Sequence, residues 1–362
     1  MPKTAMLSTP DAQAFILKET DKLKMLTGPG YRYIFRKADG FFVRCGDKEE
    51  DDPQWSPVGP EILDIEITDC CRGIRDKKGN RAPCDFCYKS NGPGGKTNMS
   101  LDTFKSILAK MGPQLTQIAF GLDAECNANP DTFAIMRHCR EQGVVPNVTV
   151  ADITPEVADQ LAAVCGAVAV SYYPERDKNR CYDSVKMLTD RGMDQVNIHC
   201  LVSLERYDAV KELLEDRKND PRLQNMNAIV FLSLKQKGRG KKFHRLGSEG
   251  FKTLVETSLA SKIPIGFDSC SFHLFEEAIR DSPYYKNLIE AAEPCESGVF
   301  SSYIDASGSY FPCSFYEGEG DWKDGIDVTT CDSFLDVWYH PKTKAAREKL
   351  LANNRRCPIY NI

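Results

Sequence analysis

Nowhere in these 362 residues does an apolar run approach the roughly 20 residues that a membrane-spanning helix requires. Near the start only Ala14-Phe15-Ile16-Leu17 is hydrophobic, too short for the core of an export signal. There is no internal repeat and no long low-complexity tract, which sets aside solenoids and disordered arrays. The net charge is only −5, so no global nucleic-acid-binding face is expected, although a local basic patch stays open. What the chain has in excess is cysteine, fifteen in all. Without an export signal they point to a reducing cytoplasm, where thiols serve metals more often than disulfides. With 41% hydrophobic and 27% charged residues, the remainder is the composition of a globular protein with ample core.

Three of the cysteines carry the most information. Cys71, Cys84 and Cys87 follow the alternating run Ile62-Leu63-Asp64-Ile65-Glu66-Ile67-Thr68, which reads as a buried strand. Three thiolates from one loop can hold an iron–sulfur cube by three of its four irons, leaving the fourth open to a non-protein ligand. An open position is what separates a reactive metal site from a closed structural one. A zinc knuckle is the plainer alternative for a Cys-x-x-Cys pair. It needs four closed ligands, and none of the five histidines stands near enough in sequence to complete the set.

The pattern Ile67-Thr68-x-x-Cys71, then Cys84-x-x-Cys87 with Phe86 between and Tyr88 after, resembles the radical S-adenosylmethionine (radical SAM) superfamily. The resemblance implies a [4Fe–4S] cluster on Cys71, Cys84 and Cys87 and SAM bound at the open iron. Electron transfer to SAM would then give methionine and a 5′-deoxyadenosyl radical that abstracts substrate hydrogen. One departure stands out, because twelve residues separate Cys71 from Cys84 where the family usually has three. The insert, polar and basic with Gly73 and Gly79, reads as an extruded loop that leaves the ligands free to converge. Cys70 competes as first ligand. Cys71 is preferred because it keeps the two-residue gap after Ile-Thr.

From residue 60 to about 265 strand and helix patterns alternate, which argues for a parallel sheet with helices outside it. Strands are expected over 62–67, 116–121, 146–150, 166–171, 195–201 and 227–234. Helices are expected over 101–111, 130–142, 154–164, 178–191, 203–217 and 247–260. Ser100 and Thr154 are capping hydroxyls at helix starts, and Gly112, Gly143 and Gly192 are matching stops. Periodicity does not separate a doubly wound sheet from a barrel. The resemblance implies an α/β fold, a partial (β/α)6 TIM-like barrel over 61–265, with chemistry at the strands' carboxyl ends. Residues 1–60 read as an N-terminal extension, with a hairpin around Ala38-Asp39-Gly40 and an acidic, proline-containing linker over 46–60.

The resemblance also nominates SAM contacts. Gly121 and Asp123, in Gly121-Leu122-Asp123-Ala124-Glu125, stand where the family has a Gly-Gly-Glu-Pro turn, in degenerate form. Asp123 retains a carboxylate able to accept from the SAM ammonium, against the alternative of a turn-forming Asp. Ser171 ends the fourth strand. Asn197 and His199 share one face of the fifth by period two, as Asn147 and Thr149 do on the third. His199 competes with its reading as a satisfied core histidine. Tyr88 is expected beside the adenine.

A second cluster lies downstream. Twelve residues separate Cys295 from Gly308 and four separate Gly308 from Cys313. The segments on either side of Gly308 describe a hairpin that brings its end cysteines together. This is similar to the opening of the SPASM and twitch subdomains, which carry auxiliary four-iron clusters, and implies a cysteine-rich β-hairpin/helix subdomain over 266–362. Its further Cys-rich run is missing here, so one auxiliary [4Fe–4S] cluster is the ceiling. The expected ligands are Cys295, Cys313, Cys357 and Cys270, with Cys331 as competitor for the fourth place. A closed zinc site on the same thiolates stays open. Cys139, Cys165, Cys181 and Cys200 read as packing residues.

The basic stretch from Lys235 to Arg245 should sit near the barrel mouth, as a solvated loop or as a site for phosphate, acidic peptide or nucleic acid. Taken together, the resemblance implies hydrogen abstraction from a substrate carbon, with peptides or proteins the preferred substrates. It also implies a reducing partner such as flavodoxin or ferredoxin. Three rivals remain: a zinc-stabilised binding protein without catalysis; a radical SAM fold that only binds, which the degenerate Gly121-Leu122-Asp123 turn keeps open; and a SAM-dependent methyl transfer, against which the missing Gly-x-Gly-x-Gly loop argues.

Overall fold

The computed structural model describes residues 3–48 and 51–360; Glu49 and Glu50 of the expected acidic linker, and the two residues at each terminus, lie outside the described residues. The amino-terminal part is more than a hairpin. Five strands, β1 (Lys3–Ser8), β2 (Ala14–Glu19), β3 (Leu23–Gly28), β4 (Tyr31–Arg36) and β5 (Phe42–Cys45), form an antiparallel meander in sequence order. The expected hairpin is its last pair, with Phe35 opposite Phe42 and Gly40 at φ +73° in the turn. Strict alternation makes this sheet one-sided: Phe15, Leu17, Leu26, Tyr31, Tyr33 and Phe35 are buried, while Ile16, Arg32, Ile34 and Arg36 face out.

The parallel strands are β6 (Ile62–Glu66), β9 (Gln117–Gly121), β10 (Val145–Val150), β11 (Ala167–Ser171), β12 (Val196–Val202), β13 (Ala228–Ser233) and β14 (Ile265–Phe267). Between β6 and β9 lie two short strands, β7 (Ile74–Arg75) and β8 (Arg81–Ala82). The helices α1 (Leu101–Met111), α2 (Thr132–Glu141), α3 (Pro155–Val164), α4 (Pro174–Thr189), α5 (Tyr207–Asn219) and α6 (Ser248–Ala260) alternate with the strands much as the pattern indicates. Ser100 caps α1 by accepting from Thr103 N, and Thr154 caps α3 ahead of Pro155. β14 has only three residues, too few to leave a periodic trace in the sequence.

After α7 (Phe272–Ile279) and α8 (Tyr285–Glu290) the chain returns to the sheet. β15 (Ser301–Ile304) pairs in parallel with β6, and β16 (Ser309–Phe311) and β17 (Ile326–Asp327) extend it antiparallel. Among the described residues these make one ten-stranded sheet in the order β14-β13-β12-β11-β10-β9-β6-β15-β16-β17. The carboxyl-terminal hairpin therefore continues the main sheet, and the boundary expected at 265 falls on the first residue of β14. Helices α9 (Phe334–Trp338) and α10 (Pro341–Ala352) follow.

The two faces of the parallel strands differ chemically. Leu63, Ile65, Ile118, Val148, Val170 and Ile198 are buried in the main core with the helices. The opposite face carries Ala119, Gly121, Asn147, Thr149, Ser171 and His199, small or polar and not fully buried. Short side chains there leave a hollow. The meander packs across the amino ends of these strands: Tyr33 OH donates to Gln114 O (2.6 Å) and Lys24 Nζ to Leu115 O (2.6 Å). That end is closed by the meander, and the cavity described next lies at the carboxyl ends. No helix among the described residues is long and apolar enough to cross a membrane.

Candidate active site

The cysteine loop leaves the end of β6 and is held at both ends by one buried side chain. Asn129 Nδ2 donates to Ile67 O (2.7 Å) and to Met99 O (2.9 Å). The twelve-residue insert is extruded only at its tip. Its base is the β7–β8 ribbon, pinned by Arg75 to Asp152 (2.5 and 2.7 Å) and by Arg81 to Glu125. Gly73, at φ +82°, has no room for a side chain, because a Cβ would lie 1.9 Å from Ala82 O. The ribbon thereby returns the chain so that Cys84 and Cys87, closed in a turn by Cys87 N to Cys84 O (3.2 Å), come back beside Cys71.

Cys71, Cys84 and Cys87 border one cavity of about 370 Å3 at the carboxyl ends of the parallel strands. That volume lies within the roughly 300–1,000 Å3 of small-ligand sites. Tyr88, Gly121, Asp123, Ser171 and His199 border it too, and Cys70 does not. Asn197 is not brought there. It shares the face of His199 but lies one step nearer the amino ends, where its side-chain oxygen accepts from Asn227 Nδ2 (2.9 Å).

Each sulfur has local partners. Backbone amides of Ala124 and Gly73 donate to Cys71, and the Tyr173 hydroxyl donates to Cys84. Burial nevertheless pushes the Cys71 thiol up and the Cys84 thiol to about 12, so a metal taken up here displaces protons. Asp123 is turned inward on its own loop. Its carboxylate accepts from the amides of Glu125 (3.2 Å), Asn127 (3.0 Å) and Ala128 (2.9 Å). These bonds shape the loop that carries Ala124 beside Cys71, and Asp123 still borders the cavity. The Tyr88 hydroxyl donates to Ser314 Oγ (3.1 Å) and its ring lies 4.5 Å from that of Phe315, so it leans on the carboxyl-terminal segment.

His199 is a neutral imidazole, since burial lowers its pKa from 6.5 to about 4, with the Asp268 carboxylate opposing. Its Nδ1 stands 3.3 Å from Thr149 Oγ1. Between pH 4 and 6.5 the unfolded chain binds the extra proton, so this group's contribution to stability is complete above 6.5 and is lost as pH falls towards 4. The full shift would give about 3 kcal/mol; the ring borders a cavity that water enters, so we expect on the order of 2 kcal/mol. Denaturant titrations between pH 4 and 7 should show this acid loss in the wild type and its absence in His199→Asn. Identical profiles would contradict the assignment.

The second thiol set also gathers. Cys295, Cys313 and Cys357 lie within electrostatic reach of one another, and Cys270 within reach of Cys295 and Cys313. Cys331 stands apart among Asp327, Asp332, Asp336 and Lys110, with its thiol 3.2 Å from Asp327 O. Gly308, at φ +92°, makes the hairpin turn that delivers Cys313. All fifteen cysteines are free. Among the described residues no group of three or more His, Cys, Asp or Glu side chains is gathered as a ready site for one metal ion. Thiolates are the ligands of iron–sulfur clusters and of zinc alike, so the donor set of either group of cysteines fits both.

Sequence reading missed several neighbours of the first thiol set. Tyr173 stands two residues after Ser171 and reaches Cys84. Buried Arg206 lies 5.2 Å over the rings of both Phe86 and Tyr173. Glu66, at the end of β6, pairs with Lys89 (3.1 Å) and accepts from Asn91 (2.7 Å) on the cavity wall. Only Glu66 and Lys89 had a local signal, a carboxylate at a strand's end and a cation two residues past the last cysteine.

No family model matches the chain, and no curated protein matches it. Among solved structures it is similar to Streptococcus suis SuiB bound to S-adenosylmethionine, with a TM-score of 0.58 and 16% identity. The match covers 80% of this chain and 66% of SuiB, so the chain spans slightly less than two thirds of that protein's length. Likeness at this identity is a likeness of fold. BtrN in complex with AdoMet and 2-DOIA aligns over 80% of this chain and 87% of its own at 11% identity; its TM-score of 0.40 carries no argument.

Proposed function

We propose that the protein is a radical SAM enzyme whose parallel sheet acts as a partial barrel over residues 61–265, with a twitch-like subdomain over 266–362. The observation that carries this reading is the placement of Cys71, Cys84 and Cys87, from one loop, on the wall of a ligand-sized cavity at the strands' carboxyl ends. The fold shared with SuiB, a structure solved with S-adenosylmethionine, supports SAM as the cavity's occupant. Cys71, Cys84 and Cys87 would hold a [4Fe–4S] cluster, which once reduced would supply the electron for cleaving SAM to methionine and a hydrogen-abstracting 5′-deoxyadenosyl radical.

The chain's own residues do the holding and orienting. The Ala124 and Gly73 amides and the Tyr173 hydroxyl point hydrogen-bond donors at the sulfurs, which steadies thiolate charge. Gly121 leaves backbone open to the cavity, and Ser171, Thr149 and neutral His199 offer uncharged partners to a ligand lying across the strand ends. The second set, Cys270, Cys295, Cys313 and Cys357, would hold one auxiliary cluster. A polar cleft of about 490 Å3 adjoins the cavity through Tyr88 and Lys89 and is lined by Asp305, Glu317, Asp324 and Asp327, giving room for a polar substrate such as a peptide side chain. Flavodoxin or ferredoxin is the reductant this scheme calls for.

The test is the product formed from SAM by reconstituted, dithionite-reduced protein. 5′-Deoxyadenosine is expected. S-Adenosylhomocysteine would instead place the chemistry in methyl transfer, and unreacted SAM with bound zinc would leave a binding protein.

A further inference from the structure

The basic stretch after β13 looks in sequence like a surface loop for an anion. In the structure its first half is turned inward and touches both cysteine regions. On one side, buried Lys235 pairs with Asp268, two residues before Cys270, and lies 5.2 Å over the ring of Phe315. Lys237 Nζ donates to the carbonyls of Phe315 (3.0 Å) and Glu317, just past Cys313. On the other side, Arg239 binds the first cysteine loop three times. Its backbone amide donates to Cys87 O (3.0 Å), its Nε to Cys84 O (2.8 Å) and its Nη2 to Asn91 O (2.9 Å). Gly238, at φ +55°, lies so close that a Cβ would stand 2.3 Å from Tyr88 O and 2.7 Å from Cys87 O. Phe243 closes the contact by stacking on Phe86 at 3.8 Å. Gln236, Lys241, Lys242, His244 and Arg245 are what remains exposed.

We propose that residues 235–243 form a positioning strap that fixes the first cysteine loop against the carboxyl-terminal thiol set and tunes the reduction potentials of the clusters held there. This rests on the function proposed above. The planar Arg239 fork suits two carbonyls at once, which a lysine ammonium matches only in part. A fixed cation beside a thiolate-ligated cluster favours its reduced, more negative state, so charge and hydrogen bonding around the sulfurs are recognised levers on potential. Lys235 acts on the other side: without it, the Asp268 carboxylate next to Cys270 is left uncompensated.

The experiment is a potentiometric titration followed by electron paramagnetic resonance on the anaerobically reconstituted full chain. For Arg239→Gln the first cluster's reduction equilibrium should weaken about tenfold, ~59 mV for one electron, with partial recovery in Arg239→Lys. Lys235→Met should lower the second cluster's potential and leave the first unchanged. Gly238→Ala alters no charge, yet should displace the loop and change the first cluster's spectrum or its iron occupancy. Wild-type potentials, spectra and iron content in both Arg239→Gln and Gly238→Ala would overturn the strap while leaving the enzyme reading intact. A wild-type chain that takes up no iron would overturn the parent reading, and the strap's role with it.

Discussion

Replacing Cys71, Cys84 or Cys87 by alanine is expected to cut SAM cleavage by roughly a thousandfold or more, about 4 kcal/mol of barrier. Each variant should stay folded, because none of the three is a fully buried packing residue. The contrast is with Cys139 and Cys181, which sit in the core at 0% and 2% exposure. Alanine there should cost about 1 kcal/mol of stability and leave SAM cleavage near wild type. Cys70→Ala is the sharper control, since it neighbours Cys71 in sequence yet does not border the cavity. An inactive Cys70→Ala beside an active Cys71→Ala would reverse the assignment of the first ligand.

Arg44→Met should destabilise the protein by about 3–5 kcal/mol, the usual consequence of stripping one partner from a buried ion pair. Arg44 is the hub that ties the meander to the start of β6 and to the segment that carries Cys295. It grips Glu61, the residue before β6, through Nε (3.0 and 3.1 Å) and Nη2 (2.7 Å), and bonds Glu296 (3.0 Å), next to Cys295. Its guanidinium lies 3.4 Å over the Phe300 ring, and Arg355, which donates to Cys295 O, approaches the same ring. Glu61 is wholly buried and shared with the Tyr31 hydroxyl, so it has no water to fall back on. Urea titration of Arg44→Met gives the loss directly. Adding Glu61→Gln should recover part of it, because the stranded charge goes. A loss below about 1 kcal/mol would show that the network is not what joins these parts.

The alternation of strands and helices was legible because its signals are local. A capping hydroxyl at Ser100 or Thr154, a glycine stop, and an apolar outer strand face each act within a few residues. The meander was read only in its last hairpin, since β1 and β2 expose every second residue and their inner faces are completed by distant partners such as Val145 and Phe300. The addition of β15 to the edge of β6 joins residues 239 apart (Ser301 and Ile62), and nothing in either segment announces the other. At the site, cysteine spacing nominated both thiol sets as candidate ligands, and the family resemblance nominated Cys270 ahead of Cys331. Spacing did not show that the Asp123 carboxylate accepts three amides of its own loop, a conformation that sequence does not specify. Nor did it show how deep Asn197 lies along its strand, where facing the hollow and reaching the cavity part. Tyr173, Arg206 and Arg239 come from three different strand-end connections and converge only once the sheet has formed.

The most direct test is the metal content of the anaerobically reconstituted chain: iron, acid-labile sulfide and zinc per protein. Two four-iron sites predict roughly eight irons and eight sulfides, falling by about half in the Cys71→Ala, Cys84→Ala, Cys87→Ala triple variant. Zinc without sulfide, at either thiol set, would contradict the account.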